Sequence, residues 1–148
     1  MPVESTTPDL VELVRSAFEA YNRRDLDAVM PFFAPDAVLD ATRTLGIAPH
    51  GRVAIRGLIE DWIGAYDEVE MVLEEPLDLG SGVVYAVVRQ RARPLGTSSY
   101  VQSREGFVWV LAEGLIVNLT VYPEANIHAA PAAAERLAQE RGRRGEFR

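Results

Sequence analysis

Three titratable side chains in this sequence stand where proton chemistry is conceivable, and Glu105 stands out among them. In SYVQSREGFVWVLAEGLIVNLTVY (residues 99–122), Glu105 alternates with Val101, Phe107, Trp109 and Leu111. Successive side chains of a strand point to opposite faces, so Glu105 shares the apolar face. A carboxylate there is costly unless it is paired, protonated or beside a wet cavity. Burial would raise its pKa and suit it to passing a proton; the plain alternative is an ion pair with an arginine. Asp40, at the end of a short strand, is a second candidate base, or else a cap for the loop after it. Parity sets it with Val38 rather than with Leu39 and Ala41. His50, in the loop before a helix, could titrate near neutrality, or simply be an exposed loop residue. Glu105, Asp40 and His50 are the expected catalytic groups. Tyr21, Trp62, Tyr66 and Trp109 could wall a flat hydrophobic ligand or serve as plain core. Asn118 and Tyr122 alternate with Thr120 on the last strand. They could orient a ligand carbonyl or hydroxyl, or face solvent or a second copy.

Other chemistries are excluded by composition. The 148 residues include no cysteine, which removes disulfides, thiolate nucleophiles and cysteine metal sites. All 15 basic residues are arginine, so lysine Schiff-base chemistry is absent. The two histidines lie far apart with no ligand spacing, so no metal site and no cofactor is expected. A net charge of −7 argues against nucleic acid as a partner. No apolar run approaches the roughly 20 residues of a membrane span. MPVESTTPD lacks the pattern of a secretory signal, which makes a cytoplasmic location the expectation.

The elements that must position these residues read as follows. Residues 1–7 form a loose lead. Thr7 caps a first helix, with Pro8 in its first turn and an apolar face of Leu10, Leu13, Val14, Ala17, Phe18 and Tyr21. Asp25 caps a short second helix that Pro31 kinks or shortens and Pro35-Asp36 ends. A strand over 37–41, a loop over 42–51 and a helix over 52–66 follow. Strands are expected over 69–79, 83–93, 99–111 and 115–122, with Pro76 marking a sheet edge or a bulge. Arg89, Arg91 and Arg93 alternate on one strand face and either bind an anion or pair with the acidic strand before them. A last helix spans 132–141, stopped by Gly142. Helices first and an antiparallel sheet after is the α+β pattern.

The run LVRSAFEAYNRRDLDAVMPFFAPDAVLD, through Asn22, Asp25 to Asp27 and Phe33 to Asp36, resembles the opening of SnoaL-like proteins of the nuclear transport factor 2-like superfamily. GRVAIRGLIEDWIGAY is similar to that family's third helix, at Gly51, Ala54 to Arg56 and Trp62, and FVWVLAEGLIVNLTVY to its closing hairpin. The resemblance covers residues 8–130, with 131–148 as a C-terminal helix and basic tail. It implies a cone-shaped α+β barrel, a curved, mostly antiparallel sheet around a long N-terminal helix, an apolar pocket for a small hydrophobic molecule, and a homodimer through the sheet. It also implies that the face bearing Asn118 and Tyr122 points inward. The family includes ketosteroid isomerases, polyketide cyclases, dehydratases and plain binding proteins. The isomerase uses an aspartate base and an oxyanion hole of a tyrosine and a protonated aspartic acid. Matched on PEANIHA, its oxyanion-hole acid falls on Glu105, its tyrosine on Ala17 and its base on Ala41. The expected function is a cofactor-independent cyclase, isomerase or dehydratase; the alternative is a non-catalytic binder of the same fold.

Overall fold

A computed structural model of the protein describes residues 9–144. The elements come in the expected order: α1 (Leu10–Asn22), α2 (Leu26–Val29) with a 3-10 turn (Met30–Phe32), β1 (Phe33–Asp40), α3 (Arg52–Gly64), β2 (Tyr66–Gly80), β3 (Val83–Pro94), β4 (Val101–Ala112), β5 (Leu115–Tyr122), a second 3-10 turn (Glu124–Asn126) and α4 (Ala129–Arg144). The strands form one sheet in the order β1-β5-β4-β3-β2, antiparallel except for the β1–β5 pair. Among the described residues, no helix is long and apolar enough to cross a membrane.

The amphipathic α1 lies against the inner face of the sheet. Val14, Ala20 and Tyr21 share one core with Val84, Val88, Phe107, Trp109 and Leu119. The outer face is partly covered by α4, whose Ala130, Ala134 and Ala138 pack on Val83, Val108 and Val110. Gly106 permits that approach, since a Cβ there would stand 2.9 Å from the Cβ of Ala130.

Several local expectations are corrected. The Thr7 cap and Pro8 lie outside the described residues; the cap of α1 is Asp9, whose carboxylate accepts from the Glu12 N–H at 3.2 Å. β1 starts at Phe33, and Pro35-Asp36 sits inside it rather than ending a helix. Its register against β5 jumps between Phe33 and Val38, and an exposed bulge needs no N–H from a proline. Pro76 marks both an edge and a bulge: β2 is the outermost strand, and its pairing breaks between Glu74 and Leu77. α4 runs beyond both expected ends and through Gly142. Packing outweighs glycine's poor helix propensity there, with Arg141 Nε donating to the Ser81 carbonyl at 2.8 Å and a Gly142 Cβ position 3.1 Å from Ser81 Oγ.

Two polar devices fix the edge strand. The Asn22 amide donates to the Met71 carbonyl and accepts from the Met71 N–H, both at 2.9 Å, so it pairs with β2 as a neighbouring strand would. The arginine ladder of β3 is paired: Arg89 with Glu74 at 2.8 Å, Arg93 with Asp67 at 3.1 Å, and Arg91 over the Tyr100 ring at 3.5 Å.

Candidate functional site

Between α1, α3 and the inner sheet face lies a cavity of about 130 Å³. Its walls are nearly all apolar and include Phe18, Trp62, Phe107, Trp109 and Leu119. Ala17 and Ala41 line it too, so the two small residues at the isomerase-matched positions leave space rather than groups. At the mouth stand Thr44 and Leu45, the latter 43% exposed. Their loop is tied down by the Ala41 carbonyl, which accepts from the N–H groups of Thr44, Leu45 and Gly46 at 3.2, 2.7 and 3.1 Å.

Two polar side chains in this lining have no partner among the described residues. Glu105 makes neither a hydrogen bond nor an ion pair, and burial in apolar surroundings pushes its carboxyl above the ordinary range. The Tyr21 hydroxyl is buried and unbonded. Burial chiefly, then Tyr66, with Glu105 adding a little and Arg24 offsetting, drives its phenol well above 10.0, so it stays a neutral O–H at physiological pH. An ionisable carboxyl and a buried donor-acceptor hydroxyl are therefore carried by two residues of one nearly all-apolar lining. The β4 alternation sets Glu105 there beside Phe107 and Trp109. Tyr21 arrives from α1, one helical turn beyond Ala17 on the same face.

The remaining expected residues are distributed as follows. Trp62 and Trp109 line the cavity; the Trp62 indole N–H donates to Gln90 Oε1 at 2.9 Å, which fixes the ring. Tyr66 does not line it but packs behind Trp62, ring centroids 5.6 Å apart. Asp40 lies off the cavity and caps the turn: it accepts from the Thr42 N–H at 3.1 Å and hydroxyl at 2.6 Å, with Arg43 at 3.6 Å, and these bonds hold its carboxyl below the ordinary range. His50 is exposed and bridges the backbone of Val38. Asn118 and Tyr122 correct the inward expectation. Leu119 and Val121 line the cavity, so their neighbours turn to the outer face, where Asn118 bonds Thr120 at 3.0 Å and Tyr122 lies under Arg43 at 4.7 Å. What the sequence reading missed is the Tyr21 hydroxyl. Its signal was the helical spacing from Ala17, which carries the same face one turn on. Among the described residues, no three histidine or carboxylate groups stand together as a metal site would need.

Comparison with known proteins agrees with this architecture. The model of the SnoaL-like domain matches residues 14–119. Comparison with curated proteins gives no match. An NTF2-like protein of unknown function from Burkholderia pseudomallei superposes with a TM-score of 0.69 at 20% identity, over 84% of this chain and 98% of that one. RV0760c from Mycobacterium tuberculosis, solved with estradiol-17β-hemisuccinate, gives 0.68 at 17% identity, over 80% and 95%. A candidate polyketide cyclase from Xanthomonas campestris pv. campestris gives 0.62 at 20% identity, over 82% and 94%. At such identities the structures speak for the fold alone, the cone in which a curved five-stranded sheet wraps a long helix. The family model covers most of the chain, from the middle of α1 to the middle of β5, and on that ground the chain belongs to the SnoaL-like domain family.

Proposed function

We propose that this protein is a cofactor-independent proton-transfer enzyme acting on a small hydrophobic carbonyl compound. The observation that carries the reading is that Glu105 and Tyr21 both line one nearly all-apolar cavity and that neither the carboxyl nor the buried hydroxyl has a partner among the described residues. Glu105, as carboxylate, takes a proton from the carbon next to the substrate carbonyl. The raised pKa makes it a stronger base than a surface carboxylate. The Tyr21 O–H donates to the substrate oxygen as it gains enolate charge. Glu105 then returns the proton at a second carbon, which is an isomerisation. Alternatively, the enolate carbon attacks a second carbonyl in the same molecule, whose C=O π bond opens to an alkoxide that takes the proton back from Glu105, which is a cyclisation. The substrate is small: about 130 Å³ is close to an engineered cavity of roughly 150 Å³ that holds benzene.

The cavity holds a single carboxylate, with Asp40 and His50 outside it, and this favours a second reading, a non-catalytic binder of the same ligand class. Isomerisation of 3-cyclohexenone to its conjugated isomer separates the two. The enzyme reading expects acceleration over buffer, a loss of about 10²–10⁴-fold in Glu105→Gln, and a loss of about 10²-fold in Tyr21→Phe. Binding of the ketone with equal background rates in all three proteins would leave only the binder. The reading also carries a homodimer through the outer sheet face. α4 lies over β2–β4 on that face and its cluster reaches Tyr122, which leaves the half-buried Asn118 and Thr120 of β5 for the seam. Light scattering should give twice the chain mass; a monomer mass would contradict it.

A further inference from the structure

The cavity lining holds a carboxyl but no cationic side chain: among the described residues no arginine and no histidine lines it. The Trp62 N–H is spent on Gln90, and the Thr44 hydroxyl is directed at the Ala41 carbonyl at 3.3 Å. What is left without a partner in this lining is the Glu105 carboxyl and the buried Tyr21 hydroxyl, whose oxygen can also accept. A carboxylate in apolar surroundings gains most from a positive charge brought to it. Around it lies an aromatic cluster: Phe107 is 6.0 Å from Phe18 and 5.4 Å from Trp109, and Phe18 is 5.9 Å from Trp109, centroid to centroid. Aromatic rings stabilise organic cations, and more so when water is excluded. An anion would be repelled by the Glu105 carboxylate and would meet no cationic side chain among the described lining residues.

We propose that the cavity takes small hydrophobic ammonium ions, with Glu105 as their counter-ion, Tyr21 as a second acceptor and the aromatic side chains as walls. This goes beyond the proton-transfer reading and does not depend on it. An isomerase indifferent to amines would lose only this inference, and an amine binder without turnover would lose only the other.

The test is calorimetric titration of the full chain, at slightly alkaline pH, with three one-ring probes: benzylamine, benzyl alcohol and benzoate. Benzylamine should bind at least about tenfold tighter than benzyl alcohol, and benzoate no tighter than the alcohol. Glu105→Gln should bring benzylamine down to the level of the alcohol, and Glu105→Asp should keep the preference. Far-UV circular dichroism checks that both variants are folded. Equal affinities of amine and alcohol in the wild type, a preference surviving in Glu105→Gln, or no binding of any probe would overturn the proposal.

Discussion

Glu105 and Tyr21 are placed against the interest of stability. The raised carboxyl pKa means that the native state holds the Glu105 proton more tightly than the unfolded chain does. Below the ordinary carboxylate pKa of about 4.3 the buried carboxyl carries no ionisation penalty; the penalty grows as pH rises through the raised value. Glu105→Gln, neutral at every pH, should therefore melt higher than wild type at neutral pH. The gain should shrink as pH falls toward about 4. Thermal melts at a series of pH values read this directly, and a gap independent of pH would count against the shift. Tyr21→Phe removes a buried hydroxyl that has no partner, so it should be neutral or stabilising in urea unfolding. A cost of about 1–3 kcal/mol would mean that the hydroxyl makes a structural hydrogen bond after all. Two substitutions that leave the fold as stable or more so while lowering turnover would be the mark of a site kept for function.

At the scale of elements, the β4–β5 hairpin was the most legible part of the chain. Period-two spacing alone set Glu105 with Phe107 and Trp109, and both line the cavity beside it. The same rule, applied to β5, would have turned Asn118 and Tyr122 outward with Thr120, because Leu119 and Val121 between them are apolar. The expected inward face came from the family likeness, and the strand's own alternation outweighed it. Asp40 was legible as a cap because Thr42 follows it at the spacing of an Asx turn. The last helix was legible, with short bounds; what the sequence concealed was its seat on the outer sheet face. An alanine stripe carries a weak apolar signal, and its seat on Val83, Val108 and Val110 depends on Gly106 leaving room. Gly106→Ala should cost about 1–3 kcal/mol by overpacking against Ala130, measured as a lower denaturation midpoint with an unchanged slope. The hairpin turn offers the opposite change. Glu113 and Gly114 both have positive φ, 54° and 78°, the two-residue turn that favours Asn-Gly. Glu113→Asn should stabilise by about 0.5–1 kcal/mol, with a higher melting temperature and no change in activity.

For the whole molecule, the sheet has two different tasks. Its inner face and α1 enclose the cavity, and part of its outer face is sealed by α4. Removing α4 uncovers Val83, Val108 and Val110, a contiguous apolar patch of the kind that drives association. A chain truncated before Ala129 should sediment as larger species than the full chain. An unchanged sedimentation coefficient distribution would show that the patch is not sticky.

The central claim is that Glu105 moves a proton inside this cavity. Deuterium wash-in next to the carbonyl of cyclohexanone in D2O, followed by NMR, isolates that step from any later isomerisation or ring closure. The full chain should speed exchange well above buffer, and Glu105→Gln should return it to the buffer rate. Exchange at the same rate in wild type and Glu105→Gln, with the ketone shown to bind both, would contradict it.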